Sequence, residues 1–210
     1  IEKDAWIFNL SYILTFGGYI GFTMFLPTLF HDGYGISKST MGLLSAPIIV
    51  MASVTRIAGG YVADRFGGLR VMTVIAVAVF VLALIASTMP PLPIMAALMF
   101  LIFCALGAGN GSTFQLVPFR WPSTTPIAMS LIGEIGALGG GLVTNSMGMS
   151  KQHWGNFSGG YYLWAAIAVA MFIMYLAVRR RWTTTWVGTG GKALSHEEHE
   201  RRRAEGRLPT

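Results

Sequence analysis

Six long apolar stretches occupy most of this chain, and each is close to the roughly 20 residues that a helix needs to cross a bilayer. They lack the alternation of apolar and polar residues that marks a membrane β-strand, whereas a helix satisfies its own backbone hydrogen bonds in lipid. Charged residues make up only 11% of the sequence, where a soluble domain carries about a quarter. The sequence therefore predicts an all-α integral membrane protein with six transmembrane helices, at about 5–30, 40–62, 71–88, 94–118, 127–147 and 160–178.

Lysine and arginine are unevenly shared between the two sides of such a bundle. One side receives Lys3, Arg65, Arg70, Arg120 and Arg179 to Arg181, and the other receives Lys38 and Lys151. Because cytoplasmic loops carry the excess of basic residues, we expect a multi-pass protein of the cell inner membrane with both termini in the cytoplasm. We divide the chain into a transmembrane bundle, residues 1–181, and a cytoplasmic basic tail, residues 182–210.

The two ends of the chain support two further expectations. No signal peptide is visible before the first span, and because the chain opens with Ile1 rather than an initiator methionine, we expect it to be part of a longer protein. In the tail, Ser195 followed by Glu198 predicts a capped helix, solvated near anionic headgroups. Two histidines beside it, His196 and His199, are too few to indicate a metal site.

Two ionisable residues fall well inside predicted spans, where a charge costs at least about 2.5–3.5 kcal/mol. Arg56 either extends to the headgroups or holds an anion, because guanidinium is permanently charged and binds a flat oxyanion through two parallel hydrogen bonds. Glu134 is open to three interpretations: a protonated carboxyl bonded to a neighbouring helix, a proton-coupling group, or a partner for Arg56.

Aromatic and glycine-rich segments supply the other candidate binding residues. Tyr12 and Phe16 share one face of the first span, as packing or as a site. The small residues of the fourth and fifth spans either let helices approach closely or expose backbone N–H groups to an anion beside a neutral amide. The candidates in these two spans are Gly109, Asn110, Gly111, Gly133 and Gly136.

The chain offers no apparatus for catalysis. All four histidines lie in predicted loops or in the tail, and Cys104 is the single cysteine. We therefore expect no enzyme activity, no metal and no cofactor. Seven arginines lie after residue 178, at one end of the chain rather than along a nucleic-acid-binding face, so the expected surroundings are the lipid bilayer and not nucleic acid.

The loop after the second span, Gly60-Tyr61-Val62-Ala63-Asp64-Arg65-Phe66-Gly67-Gly68-Leu69-Arg70, resembles the signature loop of the major facilitator superfamily. The glycine-rich runs 107–118 and 133–141 are similar to those of its nitrate/nitrite porter family. This resemblance implies one six-helix half of a major facilitator fold, built from a 3+3 inverted repeat, here the C-terminal half.

The resemblance also implies roles for particular residues. Arg56 would clamp nitrate or nitrite at the midplane, with Tyr12 and Phe16 lining the site, while Asp64, Arg65 and Arg70 would belong to a cytoplasmic gate. An N-terminal six-helix half, in the same or a separate chain, would complete the site.

The function that follows is secondary transport of nitrate or nitrite by alternating access. Two alternatives stay open. One is a carrier of another small anion with proton coupling through Glu134, and the other is a non-transporting fragment.

Overall fold

The computed structural model describes residues 2–208 and contains six helices within that range that are long and apolar enough to cross a membrane. The predicted all-α fold with six spans is confirmed, and most helices extend a few residues beyond the predicted limits. The fifth continues through Ser150 into a run expected to be a loop, and the sixth continues past Arg179. The helices are α1 Lys3–Gly33, α2 Lys38–Phe66, α3 Gly68–Ser87, α4 Leu92–Arg120, α5 Thr125–Trp154 and α6 Ser158–Thr184.

Gly67 alone connects α2 to α3. Its φ of 99° lies in the region that favours glycine, and a Cβ there would stand 2.3 Å from the carbonyl oxygen of Gly190. The Gly67 amide donates to the carbonyl of Ala63 at 2.7 Å, and its own carbonyl accepts the amides of Arg70 and Val71. One glycine therefore ends one membrane helix and begins the next.

The helices form two sets of three, α1–α3 and α4–α6, and the first helix of each set packs on the second helix of the other. Glycine makes both crossings close. A Cβ on Gly59 of α2 would lie 2.2 Å from the carbonyl oxygen of Ala108 in α4. A Cβ on Gly17 of α1 would lie 2.6 Å from the Cα of Gly139 in α5. The small residues therefore set the distance between the paired helices.

At the basic end of the bundle, a buried carboxylate joins three helices. Asp4 of α1 is 7% exposed and accepts a hydrogen bond from Arg120 Nε at 2.8 Å and one from Trp182 Nε1 at 2.8 Å. Arg181 pairs with the same carboxylate, and Arg120 also pairs with Glu2. The start of α1 is thereby held against the ends of α4 and α6.

The tail packs on the same end. A 3₁₀ turn, Thr189–Gly191, lies against the α2–α3 connection, and α7, His196–Ala204, follows it. Ser195 caps α7 by accepting the amide of Glu198 at 3.3 Å, as its position in the sequence suggested. Arg202 is 8% exposed and donates to the carbonyls of Thr183, Thr185 and Val187 at 2.7–3.2 Å, which satisfies acceptors at the end of α6. The division between bundle and cytoplasmic tail stays a prediction.

Helices α2 and α5 are the least covered of the six. Only 17% and 28% of their most apolar windows are buried, against 56% for α1. Their exposed faces carry apolar stripes at helical spacing, Val50-Val54-Ile57-Tyr61 on α2 and Leu131-Leu138-Leu142 on α5. The bundle thus leaves two apolar helix faces open on its outside.

Candidate substrate site

The structure brings Arg56 and Tyr12 into contact at the depth of the bilayer. Arg56 lies ten residues before the end of α2, and Tyr12 nine residues after the start of α1, so each is about 15 Å from the basic end of the bundle. Arg56 Nη2 donates to the Tyr12 hydroxyl at 3.2 Å, and the guanidinium carbon lies 5.4 Å from the centre of the Phe114 ring. The guanidinium therefore turns toward α1 and α4 rather than toward the headgroups.

Four aromatic rings form a row beside this guanidinium. Tyr12 stacks on Phe114 at 4.8 Å and on Phe16 at 4.9 Å between ring centres, and Phe16 stacks on Tyr19 at 6.4 Å. Tyr12 is almost completely buried, whereas Phe16 and Phe114 are partly exposed. The cation is therefore bordered by flat apolar walls.

The row coincides with a π-helical segment of α1, Ile13–Gly17, in which the backbone bonds to the fifth residue rather than the fourth. Such a segment rotates the residues after it relative to those before it. Tyr12 stands immediately before the segment and Phe16 inside it, so the irregular turn sets how the two rings meet. Insertions of this kind are frequent at functional sites in other helices.

The candidate glycines occupy three different environments. Gly136 packs on the Tyr12 ring, where an added Cβ would stand 2.5 Å from Cδ1, so it makes room for the tyrosine. Gly111 abuts the carbonyl oxygen of Arg56, and Gly109 abuts the side chain of Thr15. Gly133 has no atom within 4 Å of an added Cβ and faces open space. Gly109 thus packs directly on α1 and Gly111 on α2, so these two glycines let the helices approach closely.

Asn110 is a buried polar residue of this region whose side-chain oxygen has no partner among residues 2–208. It lies ten residues before the end of α4, at the same depth as Arg56, and is 2% exposed. Its Oδ1 atom is buried without a hydrogen bond. Phe114 follows four residues later on the same face of α4, so Asn110 stands one turn from the ring that borders Arg56. A buried amide without a partner is costly unless a ligand satisfies it.

Glu134 is not part of this cluster. It is exposed on the open face of α5, two residues from Gly136 and therefore turned away from the side that meets Tyr12. No ion pair involves Glu134 or Arg56 among the residues that the structure describes. The interpretation of Glu134 as the internal partner of Arg56 is therefore wrong for this structure.

The three residues expected at a gate lie around the α2–α3 connection. Asp64 and Arg65 belong to the exposed last turn of α2, and the Arg65 guanidinium stands 5.7 Å from the Phe66 ring. Arg70 lies in the first turn of α3 against the tail. Gly67 caps α3, because its backbone carbonyl accepts the first amides of that helix. Their gating role stays a prediction.

The family model described as "Major Facilitator Superfamily" matches residues 1–144, more than half of the chain. The chain belongs to the major facilitator superfamily. This agrees with six spans in two sets of three and with the signature loop at the α2–α3 connection. As a member of this superfamily, it is a multi-pass membrane protein.

Curated proteins similar to this chain are named for nitrate or nitrite. The "Nitrite extrusion protein" of Bacillus subtilis is 28% identical over 171 residues, 81% of this chain and 43% of that relative. The "Probable nitrate/nitrite antiporter NarK2" of Thermus thermophilus is 30% identical over 172 residues, 77% of this chain and 38% of that relative. The resemblance to nitrate/nitrite porters is thereby confirmed, and the chain spans about two fifths of the relatives it matches.

Phe114 was not among the site residues predicted from the sequence. The residue lies within the glycine-rich run of α4, and its spacing of four from Asn110 was the available signal. Its contact with Arg56 depends on how α2 crosses α4, which no local pattern shows.

Proposed function

We propose that this chain is the C-terminal half of a secondary transporter that moves nitrate or nitrite across the cytoplasmic membrane by alternating access. The observation that carries the proposal is the Arg56 guanidinium, held by Tyr12 and Phe114 at the depth of the bilayer and without an ion pair among residues 2–208. The names of the curated relatives support the choice of anion.

The charge of Arg56 favours an anion. A guanidinium at this depth has lost most of its water, and its neighbours here are a phenol and aromatic rings, which do not neutralise it. A bound monovalent anion supplies the missing charge and accepts the N–H groups that Tyr12 leaves free. The site is therefore poised for an anion that can shed its own water.

Shape then favours a flat oxyanion. Nitrate and nitrite are planar and present oxygens that a guanidinium meets with two parallel hydrogen bonds. The stacked rings of Tyr12, Phe16 and Phe114 provide flat walls for a planar guest, and Asn110 supplies a buried amide one turn away.

A second half is part of the proposal. Helices α2 and α5 leave apolar faces open, and Glu134 lies on one of them, where contact with lipid would be costly for a carboxylate. An N-terminal six-helix half, in the same or a separate chain, would cover both faces and enclose the site beside Arg56. The basic end of the bundle then faces the cytoplasm, and both termini lie there.

The test of the binding site is Arg56→Lys in the transporter with both halves present. Lysine keeps the charge and loses the paired hydrogen bonds, so we expect nitrate affinity to fall by about tenfold or more. Arg180→Lys, at an exposed position near the end of α6, is the matched control and should leave affinity unchanged. Equal affinities for wild type and Arg56→Lys would remove Arg56 from the site.

The test of the half-transporter role is nitrate uptake into proteoliposomes. The 210-residue chain alone should show no uptake above empty vesicles. Co-reconstitution with its N-terminal six-helix half should produce uptake. Uptake by the chain alone would contradict the role of a half, and no uptake with both halves would favour a non-transporting module.

One observation favours a second candidate function, that of a proton-coupled carrier of another small anion. Glu134 is an exposed carboxyl on a membrane-spanning helix, between the apolar side chains of Leu131 and Leu138. Under this alternative Glu134→Gln abolishes the dependence of uptake on a pH gradient. Uptake that remains equally driven by the gradient would exclude a proton role for this residue.

A further inference from the structure

Two grooves on the outside of the bundle, remote from Arg56, run into one another along α3. The first, of about 300 Å³, lies near the basic end between α3 and α6 and includes Arg70, Arg179, Thr73, Val74 and Leu176. The second, of about 710 Å³, continues from Thr73 and Val74 and is lined almost entirely by apolar side chains, among them Val77, Val81, Leu101 and Phe172. Together they form a channel with a cationic end and a long apolar floor.

The cationic end has two uncommitted charges. Arg70 and Arg179 are both exposed, and neither belongs to an ion pair among residues 2–208. By contrast, Arg120 and Arg181 at the same end of the bundle are paired with carboxylates. The groove therefore presents positive charge that the protein itself does not neutralise.

The tail holds one of these arginines in place. Gly190 has a φ of 75°, and a Cβ on it would stand 2.6 Å from Cδ of Arg70. The bare glycine backbone thus packs on the stem of the Arg70 side chain at the mouth of the groove. This contact restricts Arg70 before any ligand arrives.

We propose that this channel binds one anionic phospholipid of the leaflet at the basic end, with its phosphate between Arg70 and Arg179 and an acyl chain along α3. The depth of the residues fits this occupant: the arginines lie within about two turns of the helix ends, and the apolar floor begins at Val74 and Leu176, one turn deeper. Basic residues at this level attract anionic headgroups, each by about 1 kcal/mol.

The apolar floor identifies a lipid rather than a free phosphate ion. A small anion would use the two guanidiniums and leave the groove of Val77, Val81 and Phe172 empty. An acyl chain fills it and removes apolar surface from contact with disordered lipid. The site thus requires both a negative headgroup and a long hydrocarbon chain.

The experiment is native mass spectrometry of the purified chain with phosphatidylglycerol and phosphatidylcholine in competition. We expect one phosphatidylglycerol to be retained preferentially, and Arg179→Gln to lower that preference by about fivefold. Arg180→Gln removes the same charge from the next residue, which does not line the groove, and should leave the preference unchanged. Inorganic phosphate should not displace the lipid.

A second variant tests the floor independently of charge. Ala78→Trp fills the apolar groove and should abolish retention, while Ile173→Trp, an exposed position outside the groove, should not. Circular dichroism of each variant verifies that it is folded. Equal losses from Arg179→Gln and Arg180→Gln, displacement by phosphate, or retention in folded Ala78→Trp would each overturn the proposal.

Discussion

A single tyrosine determines where the charge of the candidate site points. The Tyr12 hydroxyl accepts a hydrogen bond from Arg56, while its ring stacks on Phe16 and Phe114. A guanidinium on a long flexible stem would otherwise lose more conformational entropy when an anion binds. Under the proposed function, Tyr12 acts on the anion through Arg56 as well as by lining the site.

Removing only the Tyr12 hydroxyl tests this role. Tyr12→Phe keeps the stack and loses the hydrogen bond to a charged group, so we expect nitrate affinity of the two-half transporter to fall by about tenfold. Isothermal titration measures the change. Tyr19→Phe, in the same aromatic row, is the control, and an equal loss in both variants would assign the effect to ring packing instead.

At the scale of helices, the two glycine crossings place the site residues at one depth. The α2–α4 crossing carries Arg56 and Asn110, and the α1–α5 crossing carries Tyr12 and Gly136. Because backbones meet directly at both crossings, a small displacement of either pair moves two site residues at once. The geometry of the site thus depends on close backbone packing at the glycines of these crossings.

Two neighbouring glycines of α5 provide a matched test of the crossing. An added Cβ at Gly139 would stand 2.8 Å from the carbonyl oxygen of Ile13, whereas one at Gly141 would meet nothing within 4 Å. We expect Gly139→Ala to lower the free energy of unfolding by about 1–3 kcal/mol. Gly141→Ala should be neutral or stabilise α5 by up to about 1 kcal/mol. Unfolding in mixed detergent micelles compares them, and similar values would argue against close packing as the role of Gly139.

The tail helix α7 has its own pH dependence. Hydrogen bonds from Arg202 and then Arg201 lower the pKa of Glu198 below its ordinary value of 4.5. A carboxyl with a lowered pKa stabilises the docked tail above the ordinary value, and this contribution is lost as the pH falls through the lowered one. A carboxyl-carbon NMR titration should show a midpoint below 4.5 that Arg202→Gln raises and Arg203→Gln does not. A midpoint unaffected by Arg202→Gln would contradict the cause.

At the scale of the whole molecule, the buried carboxylate of Asp4 links helices that are far apart in the sequence. It joins α1 to residues that follow it by more than a hundred positions, on α4 and α6. Removing this buried charge leaves Arg181 without a paired carboxylate and leaves Arg120 with Glu2 alone, which is more costly than losing an exposed pair.

Asp4→Asn should therefore destabilise the bundle by about 3 kcal/mol. Asp32→Asn, an exposed position without an ion pair among the described residues, should change stability little. Thermal unfolding in detergent gives the comparison. Equal unfolding temperatures for Asp4→Asn and wild type would show that the network is not structural.

Local sequence patterns predict the individual helices, whereas the way the helices pack is visible only in the folded structure. Hydropathy was enough for six helices, and the cost of charge in lipid was enough to single out Arg56. The contact of Arg56 with Phe114, the π-helical segment beside Tyr12 and the docking of Arg202 all depend on which helices cross. Glu134 is the opposite case. The sequence identifies it as an ionisable residue inside a span, but it does not show that the residue lies on the exposed outer face of α5.

The one-glycine connection at Gly67 has a mechanical consequence for any cycle of opening and closing. With no spare chain between them, α2 and α3 have no slack at that end, and the tail turn at Gly190 fills the space behind the joint. Any change of angle between the two helices at that end must therefore come from the backbone of Gly67 alone. Arg56, about 15 Å along α2 from this joint, would then swing on an arc whose pivot is the joint itself.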